Sequence, residues 1–132
     1  MTRINVVPVK ELTDQHLLAE TRELPRIPNA ILKGRYNLSS IPSEYVLGKG
    51  HVSFFYTRLG WLQERYKALH AECCARGFNV TYRFPEGVPE RFRGGYVPTS
   101  EALAINRERI LVRWPKKAKY YGKNIDSPSV RA

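Results

Sequence analysis

Apolar residues recur at intervals of three and four in three stretches of the chain, which is the spacing of one face of an α-helix. The first stretch, residues 12 to 24, has polar residues on its opposite side and so predicts an amphipathic helix. Thr13 or Asp14 is suited to cap its start, and Pro25 is expected to end or kink it. The core side of this helix carries Leu17, Leu18, Thr21 and Leu24.

The second and third stretches predict two more helices. One runs from about residue 53 to residue 76, and Gly77 is well placed to end it because glycine enters the left-handed conformation without steric cost. Thr99 or Ser100 caps the other, which continues until Pro115. Glycine and proline are frequent between these two helices and indicate irregular chain there. The predicted fold is all-α, a small single domain of all 132 residues with about three helices and long irregular connections.

The charge balance predicts a polyanionic partner, since 22 Lys and Arg face 12 Asp and Glu and leave a net charge of +10. The excess is steepest between residues 107 and 123, where Trp114, Tyr120 and Tyr121 are interleaved with the cations. Cations match phosphates and rings stack on bases, so this stretch predicts a nucleic-acid contact. A solvated tail is the alternative, and an anionic membrane surface is disfavoured because a bulky apolar face is lacking. The basic residues are Arg107, Arg109, Arg113, Lys116, Lys117, Lys119 and Lys123, against the single acid Glu108.

Several other chemistries lack a signature. His16, His51 and His70 are far apart and outside any zinc-binding pattern, and we interpret His70 as structural. Cys73 and Cys74 are adjacent within a predicted helix, which is poor geometry for a disulfide and favours two reduced core cysteines. We find no nucleophile elbow, phosphate loop or membrane-spanning run. We therefore expect a soluble, intracellular monomer that uses no metal and no cofactor.

Residues 1 to 26, MTRINVVPVKELTDQHLLAETRELPR, begin a series of short matches that continues along the chain. The later ones are GHVSFFYTRL at 50 to 59, AECCARGFN at 71 to 79, FRGGYVP at 92 to 98 and KYYGK at 119 to 123. In this order, they resemble the pyrimidine-dimer DNA glycosylase and AP lyase family of the phage endonuclease V type. The resemblance implies a compact three-helix protein that acts on damaged double-stranded DNA.

The resemblance also implies a reaction at the amino terminus. In this family the initiator methionine, here Met1, is removed, and the exposed amine, here that of Thr2, attacks the anomeric carbon of the damaged nucleotide's sugar. An α-amine has a pKa of about 7.7 to 8, so roughly a tenth of it is unprotonated at pH 7 and it needs little activation. Glu23 matches the family's catalytic carboxylate, while Glu20 lies nearby. Without the resemblance, Thr2 would be an ordinary second residue and Glu23 a solvated helix acid.

The resemblance further implies a set of DNA contacts, because arginine donates two hydrogen bonds to one phosphate while the duplex is kinked and a nucleotide is extruded. Arg109 and Arg113, about one turn apart, extend this grip. The KYYGK motif adds a basic and aromatic contact, with a packed tail as the alternative. The predicted DNA contacts are Arg3, Gln15, His16, Arg22, Arg26, Arg109, Arg113, Lys119, Tyr120, Tyr121 and Lys123.

The sequence departs from the family pattern at positions that bear on substrate choice. Thr21 stands where relatives carry tyrosine, and Lys117 and Ala118 stand where an aromatic pair is expected. With fewer aromatic rings near the lesion, selectivity for pyrimidine dimers does not follow from the resemblance alone. Two alternatives therefore stand beside the leading hypothesis of a pyrimidine-dimer glycosylase and lyase. One is the same imine chemistry on a ring-opened purine or an abasic site, and the other is a DNA-binding protein without catalysis.

Overall fold

The computed structural model describes residues 2–127, and helices make up most of its regular structure. This confirms the all-α prediction. A two-stranded antiparallel hairpin, which we did not predict, follows the last helix. The α-helices are α1 (Asp14–Glu23), α2 (Arg26–Leu32), α3 (His51–Phe54), α4 (Leu59–Ala75) and α5 (Ser100–Val112), and the strands are β1 (Lys119–Tyr120) and β2 (Lys123–Asn124).

The predicted helix boundaries rest on side-chain caps. The Oγ1 of Thr13 accepts a hydrogen bond from the backbone N–H of His16 at 3.0 Å, so Thr13 rather than Asp14 caps α1. Thr99 caps α5 in the same way, with a bond of 3.0 Å from the N–H of Ala102. Gly77 has φ +86° and follows α4 directly, as predicted for a helix-terminating glycine.

The single helix predicted from residue 53 to residue 76 is wrong, because the chain between α3 and α4 is not helical. In an unbroken helix the carbonyl of Thr57 would accept from the N–H of Trp61. Instead, Gly94 donates its N–H to the Thr57 carbonyl and its own carbonyl accepts from Trp61, both at 3.1 Å. A Cβ at position 94 would lie 2.2 Å from the Thr57 oxygen, so only glycine allows this insertion.

The core lies between α1, α4 and the segments that cross them, and its largest members include Tyr66, Phe54 and Phe55. Cys73 is buried as predicted, whereas Cys74 is exposed, so the prediction that both are core residues is wrong for Cys74. Helical geometry explains the difference, because adjacent residues lie about 100° apart around the axis and cannot face the same side.

Two buried ion-pair groups also join α1 to α4. Arg65 makes a forked contact with Glu20, Nε to Oε2 at 2.8 Å and Nη2 to Oε1 at 3.0 Å. Arg76, at the end of α4, pairs with Asp14 at 3.0 Å and with Glu72 at 2.9 Å. Such pairs contribute to folding only when their remaining donors are satisfied, and both arginines also donate to backbone carbonyls near the amino terminus. The two groups therefore fix the chain before α1 against the helices.

Candidate active site

The N-terminal segment, defined as residues 3–7, is held by side chains from several parts of the fold. The N–H of Arg3 donates to Oε1 of Glu23 at 3.0 Å, and the N–H of Ile4 donates to Nε2 of His51 at 2.9 Å. The hydroxyl of Tyr45 donates to the Ile4 carbonyl at 2.8 Å. These partners come from α1, from α3 and from the loop before α3, so the start of the chain is fixed by tertiary structure rather than by a strand or helix of its own.

The second half of the N-terminal segment is bound by Asn106 of α5. Its Oδ1 accepts from the N–H of Val6 at 2.6 Å and from that of Val7 at 3.0 Å. Its Nδ2 donates to the side chain of Asn5 at 2.7 Å, and Asn5 in turn donates to Oε1 of Glu20 at 2.8 Å. Asn106 is 1% exposed, so these bonds are made away from water, where an unsatisfied polar group would be costly.

The bond between Arg3 and Glu23 limits where the nitrogen of Thr2 lies. That nitrogen is separated from the Arg3 nitrogen by the Cα and carbonyl carbon of Thr2 alone, which is at most about 3.7 Å. Adding the 3.0 Å hydrogen bond places it within roughly 7 Å of Oε1 of Glu23. Thr2 is half-buried, and Met1 lies outside the described residues. The predicted catalytic pair is thus brought together.

Two cavities meet at the N-terminal segment. The first, of about 260 Å³, is lined by Glu23 and His16 among others, and the second, of about 280 Å³, is lined by Thr2 and His51 among others. Both cavities share the lining residues Arg3, Asn5, Arg109 and Arg113. The predicted nucleophile and the predicted carboxylate therefore line adjoining cavities. The two cavities share a basic wall, formed by Arg3, Arg109 and Arg113.

The basic wall concentrates positive charge. Burial lowers the pKa of Arg3, and the nearby cations Arg109 and Arg113 lower it further. Glu23 acts in the opposite direction on the same group. Among residues 2–127, the Nε of Arg109 is the only buried side-chain nitrogen or oxygen without a hydrogen-bond partner. A cluster with an unsatisfied buried donor is suited to an anion such as a phosphate.

His16 and Gln15 are neighbours in sequence but face different surroundings. His16 lines the first cavity, its Nδ1 lies 3.0 Å from Oγ1 of Thr13, and burial lowers its pKa, which favours the neutral ring. Gln15 instead donates to the carbonyl of Lys117 at 2.6 Å and accepts from the N–H of Lys119 at 3.0 Å. Gln15 thus connects α1 to the hairpin and does not line either cavity.

Arg22 and Arg26 are exposed residues near the end of α1. A nitrogen of Arg22 lies 3.8 Å from Oε2 of Glu23, and Arg22 also lines a separate groove together with Arg83. Neither Arg22 nor Arg26 lines the two cavities, but both are close in sequence to Glu23. Their predicted role as DNA contacts stays a prediction.

The hairpin is packed against the start of α1. Asp14 accepts from the N–H groups of Tyr121 at 3.0 Å and Gly122 at 2.8 Å, and these two loop residues have φ +52° and +78°. Positive φ at both positions is what a two-residue type I′ loop requires. The guanidinium of Arg76 lies 4.5 Å from the ring centre of Tyr120 and 4.9 Å from that of Tyr121. Lys119 and Lys123 are exposed on the same hairpin, and none of these hairpin residues lines the two cavities.

Several residues that build the site carried no signal in the sequence. In the sequence His51 lies outside any zinc-binding pattern, and Glu20 is only a neighbour of Glu23. Their partners lie up to 100 positions away along the chain, as for Val6 and Asn106, so spacing along the sequence does not reveal them. The residues missed in this way are Asn5, Glu20, Tyr45, His51, Arg65 and Asn106.

The fold and the site define a small helical protein. Its N-terminal segment, the carboxylate of Glu23 and the arginines of the basic wall line two adjoining cavities, which together form one cleft. A family model described as pyrimidine dimer DNA glycosylase matches residues 1–86, and the chain belongs to this family. The resemblance inferred from the sequence is confirmed, and the family acts on DNA. Among residues 2–127, the helices lack the combined length and apolar character of a membrane span. Within that range no three His, Cys, Asp or Glu side chains form a metal-binding group.

Proposed function

We propose that the protein is a DNA glycosylase with AP lyase activity on cyclobutane pyrimidine dimers, and that it acts through an imine to the amine of Thr2 after removal of Met1. The observation that carries this proposal is the 3.0 Å hydrogen bond from the N–H of Arg3 to Glu23, because it holds the start of the chain beside a carboxylate. Membership of the pyrimidine dimer DNA glycosylase family supports the substrate class.

In the proposed reaction the unprotonated nitrogen of Thr2 donates its lone pair to C1′ of the 5′ pyrimidine nucleotide. The C1′–N1 bond breaks, and the base leaves with the electron pair of that bond. The nitrogen loses a proton, the C1′–O4′ bond breaks and O4′ takes up a proton, which gives an imine whose protonated form acidifies C2′–H. Loss of that hydrogen as a proton forms a C2′=C3′ double bond and breaks the C3′–O bond, so the 3′ phosphate leaves with the electron pair and the strand is nicked.

Glu23 has the geometry for two tasks in these steps. Its Oε1 accepts from the backbone of Arg3, which leaves Oε2 available on the side of Arg22, 3.8 Å away. A carboxylate there stabilises the positive charge that develops at C1′ and on the imine nitrogen. It also accepts and returns protons during ring opening and imine formation. Its side chain is 16% exposed, so its charge is only partly screened by water.

The basic wall of the cleft is the proposed grip on the phosphates around the lesion. Arg3, Arg109 and Arg113 line both cavities, and a phosphate oxygen would satisfy the unpartnered Nε of Arg109. Further DNA contacts are proposed beyond these three arginines, and the lysines and arginines among them make affinity fall steeply as salt rises. These further contacts are Gln15, His16, Arg22, Arg26, Lys119, Tyr120, Tyr121 and Lys123.

A second candidate, the same chemistry on another lesion, is favoured by the small side chains at two positions. Thr21 is buried and donates its hydroxyl to the carbonyl of Leu17 at 2.7 Å, and Ala118 is 2% exposed, so neither position offers a ring to a damaged base. An abasic site presents no ring and a ring-opened purine presents one, whereas a pyrimidine dimer presents two linked rings.

Borohydride trapping on a panel of duplexes tests these proposals, because reduction converts the imine to a stable amine. We expect a covalent adduct and strand cleavage with a dimer-containing duplex and none with an undamaged one. Adducts only with ring-opened purine or abasic duplexes would replace the leading substrate by the second candidate. Full DNA affinity without an adduct on any duplex would identify a non-catalytic DNA-binding protein and overturn the proposed chemistry.

A further inference from the structure

His51 makes two hydrogen bonds that fix the protonation state of its ring. Its Nδ1 lies 2.8 Å from the carbonyl oxygen of Val46, and a carbonyl only accepts, so Nδ1 carries a hydrogen. Its Nε2 lies 2.9 Å from the backbone nitrogen of Ile4, and that N–H only donates, so Nε2 is an unprotonated acceptor. Both bonds are satisfied only by a neutral ring of this one tautomer.

The surroundings of His51 preserve this state. The residue is 6% exposed, and burial lowers the pKa of its ring. The hydrogen bond to the Val46 carbonyl acts in the opposite direction and raises the pKa. The charged groups that face the ring are Arg109 of α5 and Arg3, which lower the pKa, and Glu20 of α1, which raises it. The ring of Tyr45 meets it edge-on, with centroids 5.4 Å apart.

The position of Ile4 makes this bond relevant to the reaction. Ile4 is separated from Thr2 by Arg3 alone, so the contacts at Arg3 and Ile4 are the first two anchors behind the proposed nucleophile. A second proton on His51 would set two N–H groups facing each other at Nε2 and remove the acceptor for Ile4. The segment would then lose the hydrogen bond that holds the Ile4 N–H, while the bond from Tyr45 to the Ile4 carbonyl would remain.

We propose that His51 is a positioning residue for the Thr2 amine, which it aims by accepting the N–H of Ile4, and that protonation of His51 releases this anchor and slows the reaction. This inference rests on the proposed function, since it takes the Thr2 amine as the nucleophile. His51 acts through the backbone and makes no contact with the reacting atoms.

The test uses single-turnover imine trapping on an abasic duplex between pH 5 and pH 7.5. An α-amine has an ordinary pKa of about 7.7 to 8, so at pH values well below it the ionisation of the terminal amine gives the logarithm of the rate a slope of about 1 against pH. Because the pKa of His51 is lowered, protonation of its ring steepens the wild-type slope above 1 only at a pH more acidic than the ordinary histidine pKa of about 6.5. His51→Gln supplies an amide oxygen that accepts at every pH, so we expect a slope of about 1 throughout.

His51→Phe removes the acceptor, and we expect trapping at pH 7.5 to fall about 10- to 100-fold with little change in affinity for a duplex containing a stable abasic analogue. His51→Gln should restore most of this rate, which separates loss of the anchor from a general loss of folding. His70→Gln is the matched control, because His70 is half-buried and bonds the carbonyl of Val80 at 2.8 Å, away from the N-terminal segment. It should keep the wild-type rate and the wild-type slope.

The inference is overturned if wild type and His51→Gln show the same slope, or if His51→Phe traps at the wild-type rate. Failure of the proposed function is a different result, since the wild-type protein would then give no adduct on the abasic duplex at any pH.

Discussion

The N-terminal segment and the hairpin are both short stretches held against α1 and α4, but they are held in different ways. The N-terminal segment is bound through its backbone, by side chains such as His51 and Asn106. Its residue Arg3 and the preceding Thr2 line the cavities. The hairpin is bound through its rings as well, since Tyr120 and Tyr121 lie over Arg76 and donate their hydroxyls to the carbonyl of Lys10 and to Glu72.

The difference shows that two short segments held against the same helices need not have the same role. A segment anchored by its backbone keeps its side chains and terminal nitrogen available for chemistry. A hairpin anchored by its tyrosines has both tyrosine hydroxyls bonded to the protein, although the side chain of Tyr121 stays exposed. The N-terminal segment therefore carries the proposed reaction, and the hairpin offers exposed lysines and Tyr121 beside it.

Replacing Glu23 with Gln is the change we expect to have the largest effect. It keeps an oxygen for the N–H of Arg3 but removes the charge, and loss of a general acid–base group costs about 10²- to 10⁴-fold in rate. Single-turnover cleavage should fall by that amount, while affinity for damaged DNA stays close to the wild-type value. Unchanged turnover would remove Glu23 from the mechanism.

Arg65→Met and Arg76→Met compare the two ion-pair groups directly. Each leaves buried carboxylates without their partner, so each should lower the free energy of unfolding by about 3–5 kcal/mol. Only Arg65 also binds the N-terminal segment. It donates directly to the carbonyl of Val7, and its partner Glu20 accepts from the side chain of Asn5. Trapping per folded molecule should therefore fall in Arg65→Met and stay near wild type in Arg76→Met.

Denaturant titrations and trapping at a temperature where both variants are folded measure these effects. Equal loss of trapping in the two arginine variants would mean that the hairpin contributes as much to the reaction as the N-terminal segment does.

Arg113→Ala tests the basic wall through salt dependence. If Arg113 neutralises one phosphate, the slope of log affinity against log salt should become less steep by about 0.9. Arg107→Ala is a matched control on α5, because Arg107 already makes a forked pair with Glu11 at 3.0 and 2.8 Å. An equal change of slope in both variants would assign the effect to net charge rather than to the cleft.

Lys123→Ala applies the same measurement to the hairpin and should have a smaller effect on affinity. Lys123 is exposed and lies outside both cavities, so its loss should make the slope less steep by up to about 0.9 without changing trapping at saturating DNA. A lower trapping rate at saturation would place the hairpin in the active site.

The two regions should also loosen at different pH values. The pKa of His51 is lowered, so its contribution to stability is complete above about pH 6.5 and is lost as the pH falls through its folded value. Burial raises the pKa of Glu72, but hydrogen bonds from Tyr121 and Arg76 outweigh burial and leave the pKa below its ordinary value of 4.5. Its contribution is therefore lost only at more acidic pH. Amide protection should fall first at Ile4 and later at Tyr121, and the reverse order would contradict this account.

The helices were predictable because local sequence determines them. Thr13 and Thr99 cap helices, and Gly77 follows the end of one. The resemblance at residues 1 to 26 predicts that Thr2 and Glu23 lie in one site, and the bond from Arg3 to Glu23 brings them close. The break between α3 and α4 was not predictable in this way, because it depends on Gly94, more than thirty residues further on.

The residues that hold the N-terminal segment in place could not be predicted from local sequence patterns either. Asn106 and His51 meet the N-terminal segment only in the folded chain, and a single Asn or His has no periodicity to reveal it. The hairpin could not be predicted because each of its strands has only two residues. Its loop also lacks the usual signal, since Tyr121 rather than Asn or Gly takes the first positive φ.

The most direct test of the central claim is mass spectrometry of the peptide that borohydride links to a dimer-containing duplex. We expect the adduct on the α-nitrogen of Thr2, in a chain from which Met1 has been removed. An adduct on a lysine side chain, or normal cleavage by a preparation whose terminal nitrogen is chemically capped, would contradict it.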